Sequence, residues 1–178
     1  MKVENEIPEG RCAKWVNGVL TPVDEKPQDI KERVKTFDDA VAILGNDNQA
    51  VVDYYAIADK TCTEDILAFA KLRVIAEALN EGWKPKFNGD EYRYYPWFYI
   101  YTKEEYEELD EEEKKACRVV YRGCSYAGAN GGVSYAIAVS VASYASAIVG
   151  SRLAFKTSEL SKYCGKQFID IWIDYLFG

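Results

Sequence analysis

The sequence contains no histidine at all. That removes Ser-His-Asp and Cys-His nucleophile pairs, and with them the side chain that most readily shuttles protons at neutral pH or ligates zinc. Positive charge is also short: 22 Lys and Arg stand against 29 Asp and Glu, a formal net charge of −7. A phosphate-backbone partner needs a basic face, so nucleic acid is not expected as a partner. The five cysteines, Cys12, Cys62, Cys117, Cys124 and Cys164, form no C-x-x-C. Their odd number and wide spacing speak against a zinc site or a disulfide framework and for reduced, mostly buried thiols. The opening MKVENEIPEG has no apolar stretch of signal-peptide type, so synthesis in the cytoplasm without a signal peptide is expected. No glycine-rich phosphate loop is present either. Gly128-Ala129-Asn130-Gly131-Gly132 lacks the P-loop lysine and the G-x-G-x-x-G register, so no cofactor and no metal is expected.

What the chain does have is enough length for one core and many aromatics. Its 178 residues correspond to about one domain, and 14% of them are Phe, Trp or Tyr. Residues 1–35 read as an N-terminal arm. Pro8, Pro22 and Pro27 interrupt it, and Asn17-Gly18 is a candidate hairpin turn between WV and VL. Residues 36–178 read as a single α+β domain with a helical part over 36–82. Thr36 and Asp39 have the spacing of a capping box, Phe37, Val41 and Leu44 share one helical face, and Gly45 is a natural stop. Asn46-Asp47-Asn48 reads as a turn. A helix is expected from about Cys62 to Glu81, with Thr61 as cap. Ile66, Phe69, Ala70, Ile75, Ala76 and Leu79, with Leu72 flanking, would form its apolar stripe, and Gly82 and Pro85 would end it.

Glu91–Tyr101, EYRYYPWFYIY, reads as a strand that Pro96 confines to an edge or a bulge. Its rings suit a core strand with wet tyrosine tips, and in the second place a platform for stacking on sugars. Lys103–Lys115 carries eight acids against three lysines and reads as a short solvated helix with Tyr106 and Leu109 as anchors, not as a calcium loop. A final helix is expected from Ser158 to Phe177, capped by Thr157 or Ser158, with Leu160, Tyr163, Cys164, Phe168, Ile171, Trp172 and Tyr175 as its stripe.

Between these lies an uncharged stretch, Gly123–Ser151, made of small residues and three tyrosines. It is long enough to cross a bilayer, but Gly, Ser and Asn130 dilute it and no aromatic belts flank it, so no membrane span is expected. Ser134–Val141 partly alternates, which suits a core strand. A binding face suits the same composition, because tyrosine offers contact area at low entropic cost and Ser, Gly and Asn offer adaptable hydrogen bonds.

Several stretches carry a resemblance: Lys71–Pro85 (KLRVIAEALNEGWKP), Tyr95-Pro96-Trp97-Phe98, the uncharged run, Val149–Thr157 (VGSRLAFKT) and Glu159–Phe168 (ELSKYCGKQF). Together they cover roughly residues 36–178 and resemble a family of gut-bacterial phage and prophage proteins. The run ending in Gly150-Ser151-Arg152-Leu153 also resembles the variable region of diversity-generating-retroelement proteins, which have a C-type-lectin-like fold. From 123 to 151 there is no Lys, Glu, Gln, Met or Trp, in keeping with codons mutated at adenine. Ser151 stands where that fold often has an aromatic, and a static member of the same fold fits these residues equally.

The resemblance implies N-terminal helices, a small mixed or antiparallel C-type-lectin-like sheet over 90–178, and a C-terminal helix. It further implies a non-enzymatic receptor- or ligand-binding protein displayed on a virion. Its contact positions would come from Tyr126, Asn130, Ser134, Tyr135, Ile137, Val139, Ser140, Val141, Ser143, Tyr144, Ser146 and Ile148, some of which must point inward by alternation. Arg152 is expected to be structural and to find a carboxylate. The partner would be a cell-surface protein or glycan. The alternative is a structural virion component, a head decoration or fibre-attachment protein, that buries the 124–150 face in a homo-oligomer such as a trimer. Enzymatic activity is not expected, because the usual general base is missing.

Overall fold

The computed structural model describes residues 11–16, 18–24, 29–60, 62–86, 91–116, 120–121, 132–142 and 151–178; in most of 11–24 and 132–142 the description is of the backbone. These residues form an α+β chain. In order they are β1 (Arg11–Val16), β2 (Val19–Asp24), α1 (Ile30–Arg33), α2 (Phe37–Leu44), α3 (Gln49–Ala58), α4 (Glu64–Asn80), β3 (Tyr92–Ile100), α5 (Lys103–Glu108), α6 (Glu111–Ala116), β4 (Val120–Tyr121), β5 (Gly132–Ala142), a 3-10 turn at Ser151–Leu153, α7 (Ser158–Gln167) and α8 (Ile169–Phe177).

The hairpin forms where expected. Val16 pairs with Val19 across the loop at Asn17-Gly18, and Gly18 takes the φ of 78° that such a tight turn demands. Asn17 itself lies outside the described residues. The end of the expected N-terminal arm belongs to the core. Ile30 and Val34 are buried, the Tyr163 hydroxyl donates to the Val34 carbonyl at 2.7 Å, and Gln167 Nε2 donates to the Lys35 carbonyl at 2.9 Å.

Both ends of α2 follow the sequence pattern. Thr36 Oγ1 accepts from the Asp39 N–H at 3.1 Å, and Asp39 Oδ2 accepts from the Thr36 N–H at 2.9 Å. Gly45 ends the helix at a φ of 84°. Asn48, expected only in a turn, also caps the unexpected α3 by accepting from the Ala50 N–H at 2.8 Å. The apolar residues of α3 do not gather on one face, since Ala50 and Val51 are buried while Val52 and Tyr55 are exposed. That is why its periodicity is faint.

The hub is α4. It starts at Glu64 with Thr63, rather than Thr61, at the cap position, and it ends where Glu81 turns to a left-handed φ of 50°. Leu72, Val74, Ile75, Ala78 and Leu79 are all fully buried, because α2, α3, α7, α8 and the 3-10 turn surround the helix. Ile66, expected in its stripe, is 47% exposed. The expected single C-terminal helix is two helices. The backbone breaks at Phe168 (φ −112°, ψ 31°), so that α7 packs on β3 and β5 while α8 packs mainly on α4. One straight helix could not bury the same stripe against both. The acidic segment is likewise two short helices, α5 and α6, each with reciprocal side-chain caps (Thr102 with Glu105, Asp110 with Glu113), and is mostly exposed.

The larger sheet has the order β3-β5-β4 and is antiparallel. β3 is an edge strand; among the described residues its outer side is bridged only by Phe155, whose N–H and carbonyl both bond to Tyr94 at 2.9 and 3.1 Å. Pro96 is tolerated there because an edge strand does not use every N–H, and a register shift follows at Trp97/Phe98. Among the described residues no helix is long and apolar enough to cross a membrane.

Candidate ligand-binding face

Strand alternation and the helical layer together position the rings of β3. Phe98 points at the helices, with its ring 5.4 Å from that of Trp172, and Tyr94 also packs on the core. The alternate positions therefore face away from the helices. On that side Arg93 and Tyr95 are buried, but the next two, Trp97 and Tyr99, are 49% and 45% exposed. Tyr101 follows just past the strand, with its ring 4.7 Å from that of Tyr99. The result is a short aromatic ledge, Trp97-Tyr99-Tyr101, on a strand whose other face is anchored by Phe98 on Trp172. Tyr92 and Ile100, at the two ends of the strand, are also exposed. Burial raises the Tyr95 phenol above its ordinary pKa, with a smaller opposing pull from Arg93. It stays a neutral hydroxyl beside the ledge.

The residues expected to make contacts are distributed unevenly. Tyr126, Asn130, Ser143, Tyr144, Ser146 and Ile148 lie outside the described residues. Tyr135, Ile137, Val139, Ser140 and Val141 lie on β5, where the register pairs them with Phe98, Trp97, Tyr95, Tyr94 and Arg93 respectively. The core-strand reading of Ser134–Val141 thus has its strand. Ser134 is buried at 3% exposure, with its hydroxyl 3.5 Å from that of Tyr101. The register sets it opposite Tyr99, on the side of the sheet that carries the ledge.

Arg152 is exposed in the 3-10 turn. The carboxylate nearest to its expected role, Asp53, is paired instead with Arg73 at 2.7 Å. The Asp53 carboxyl is held below its ordinary value chiefly by the Gln49 amide, then by Arg73, with Arg152 adding a weaker electrostatic pull. Among the described residues no group of three Cys, Asp or Glu is placed to hold a metal.

The ledge can stack on flat apolar surfaces and hydrogen-bond through its phenols. Its sequence signal is the alternation Trp97, Tyr99, Tyr101 immediately after Pro96. The expectation of a core strand holds for Tyr94, Tyr95 and Phe98 and fails for Trp97 and Tyr99. Comparison with protein-family models, with curated proteins and with solved structures finds no match.

Proposed function

We propose that the chain is a non-enzymatic binding protein whose ligand stacks on the Trp97-Tyr99-Tyr101 ledge and extends over the small, tyrosine-rich segment 124–150. The observation that carries this is the half-exposure of Trp97 and Tyr99 on a strand backed by the buried Trp172. Isolated exposed apolar residues are ordinary, but two large rings in register on a rigid strand form a preorganised contact surface. A cell-surface glycan suits it best, because sugar C–H faces stack on rings while tyrosine hydroxyls take up sugar hydroxyls. The β5 positions Ile137 and Val139 pair with Trp97 and Tyr95, on the side of the sheet that carries the ledge. On this proposal the sheet is C-type-lectin-like, and the protein is phage- or prophage-encoded and virion-displayed, with variation at 124–150.

A glycan-array screen followed by calorimetry tests it. Rings at the centre of a contact are worth about 2 kcal/mol or more each. Trp97→Ala with Tyr99→Ala should abolish capture and leave Tm nearly unchanged. Unchanged capture by this pair overturns the assignment of the ledge. The exposed rings of Trp97 and Tyr99 also suit a structural virion component that buries them, together with 124–150, against copies of itself. Solution mass separates the two, since a monomer favours ligand capture and an obligate oligomer with the rings protected favours assembly.

A further inference from the structure

A cleft of ≈ 480 Å³ lies at the C-terminal end of α4, and no part of the aromatic ledge lines it. Arg73, Glu77 and Asn80 enter it from α4, at spacings of four and three that put them on one helical face. Trp83 and Lys84 line it from the chain leaving α4, and Arg152 from the 3-10 turn.

Each wall is fixed by its own bonds. Asn80 Nδ2 donates to the Ala154 carbonyl at 2.8 Å, and its Oδ1 accepts from the Lys156 N–H at 3.0 Å. This fastens the segment carrying Arg152 against α4. Gln49 Nε2 donates to Asp53 Oδ1 at 2.7 Å, and Asp53 Oδ2 takes Arg73 Nη1 at the same distance, so the guanidinium is held at one corner. Its Nε–H is buried with no acceptor among the described residues. Asn48 Nδ2 donates to Glu77 Oε1 at 2.9 Å. Trp83 Nε1 donates to Glu91 Oε1 at 2.9 Å, which tethers the polar edge of the indole.

The lining therefore carries three cations and one carboxylate, in a chain whose net charge is −7. A volume of this order is that of a small-molecule pocket. Arginines in a fixed fork recognise planar or tetrahedral oxyanions, and a tethered indole offers a flat apolar face.

We propose that this cleft binds a small organic anion: a phosphate or carboxylate held by Arg73, Arg152 and Lys84, attached to a planar ring that lies against Trp83, with Glu77 accepting from a donor on the ring. The site is independent of the ledge and needs no glycan.

The test uses the full chain and four probes: adenosine monophosphate, indole-3-acetate, adenosine and inorganic phosphate. The readout is the Trp83 indole N–H resonance, assigned through Trp83→Phe, together with calorimetry. A ring-bearing anion, the phosphate or the carboxylate, should bind at millimolar concentration or below and shift that resonance. Adenosine and inorganic phosphate alone should each bind at least tenfold more weakly. Because Arg152 and Lys84 are exposed, Arg152→Glu and Lys84→Glu should keep the wild-type Tm, and each should weaken the anion about tenfold or more, as expected for a lost charged hydrogen bond. Glycan capture should be unaffected. The proposal is overturned if neither ring-bearing anion shifts the Trp83 resonance, if adenosine binds as well as its monophosphate, or if both charge reversals leave the affinity unchanged.

Discussion

Asn80 offers a direct measurement of how one buried polar side chain holds distant parts of the chain together. It is 5% exposed and joins α4 to a segment more than seventy residues later through the bonds to Ala154 and Lys156. In Asn80→Ala the Ala154 carbonyl, which is buried, loses its donor outright, while the Lys156 N–H, less deeply placed, recovers part of its loss from water. One orphaned buried group costs about 1–3 kcal/mol, and the second bond and the small void bring the total to about 2–4 kcal/mol. With a urea m-value of about 2 kcal/mol/M for a chain of this length, the midpoint should fall by about 1–2 M at unchanged m.

Asn80→Asp sharpens the test through pH. The introduced carboxylate can still accept from the Lys156 N–H, but its other oxygen meets the Ala154 carbonyl with no proton between them. Burial and that carbonyl both raise its folded pKa above the unfolded value of about 3.9. A group raised in the folded state destabilises fully above its folded pKa, and the penalty fades as pH falls towards the unfolded value. The protonated acid then donates to Ala154 as the amide did. The deficit relative to wild type, followed by urea midpoints from neutral pH down to about pH 4, should therefore shrink. A midpoint for Asn80→Ala within a few tenths molar of wild type, or an Asn80→Asp deficit independent of pH, would refute the clamp.

Three further outcomes are expected. Leu72→Ala, at a fully buried site in the middle of α4, should cost about 2–5 kcal/mol by chemical denaturation, and a cost below 1 kcal/mol would remove α4 as the hub. Thr36→Ala should cost about 1 kcal/mol and raise the Asp39 carboxyl part of the way towards its ordinary value of 3.8, since the Thr36 side chain is the first of the groups that hold it low, ahead of the backbone N–H groups of residues 36 and 35, which remain. The Asp39 contribution is complete above that unfolded value and is lost as pH falls through the lower folded one, so the gap between variant and wild type should close in acid; an unmoved Asp39 in an NMR titration would contradict this. Cys164, whose thiol burial pushes up to about 12, should resist a thiol-specific disulfide reagent at pH 8 until the protein unfolds, and labelling in the native protein would show that α7 opens.

Where the signal is local, structure and pattern coincide. The Thr36–Asp39 box, the Gly45 stop, the Gly18 turn and the Thr157 cap each depend on residues a few positions apart, so their chemistry is visible in order along the chain. The failures have a shared physical origin. α3 escaped because its apolar residues are divided between a buried and an exposed side. The break at Phe168 escaped because the apolar spacing runs straight through it, and only two differently oriented neighbours demand it. Of the ledge, the rings were evident but their exposure was not, since period-two alternation cannot say which side a helical layer will cover.

The chain's own order of residues determined its chemical class: no imidazole, an acidic surface, an aromatic strand, capped helices and an α+β succession. Those follow from composition and from contacts between near neighbours. Only the tertiary structure decided that Trp97 and Tyr99 stay in solvent while Arg93 and Tyr95 do not, and that Arg73, Trp83, Lys84 and Arg152 meet around one cleft. Burial and convergence depend on which distant segments pack together, and that is a property of the whole fold, set by how α4 gathers its neighbours.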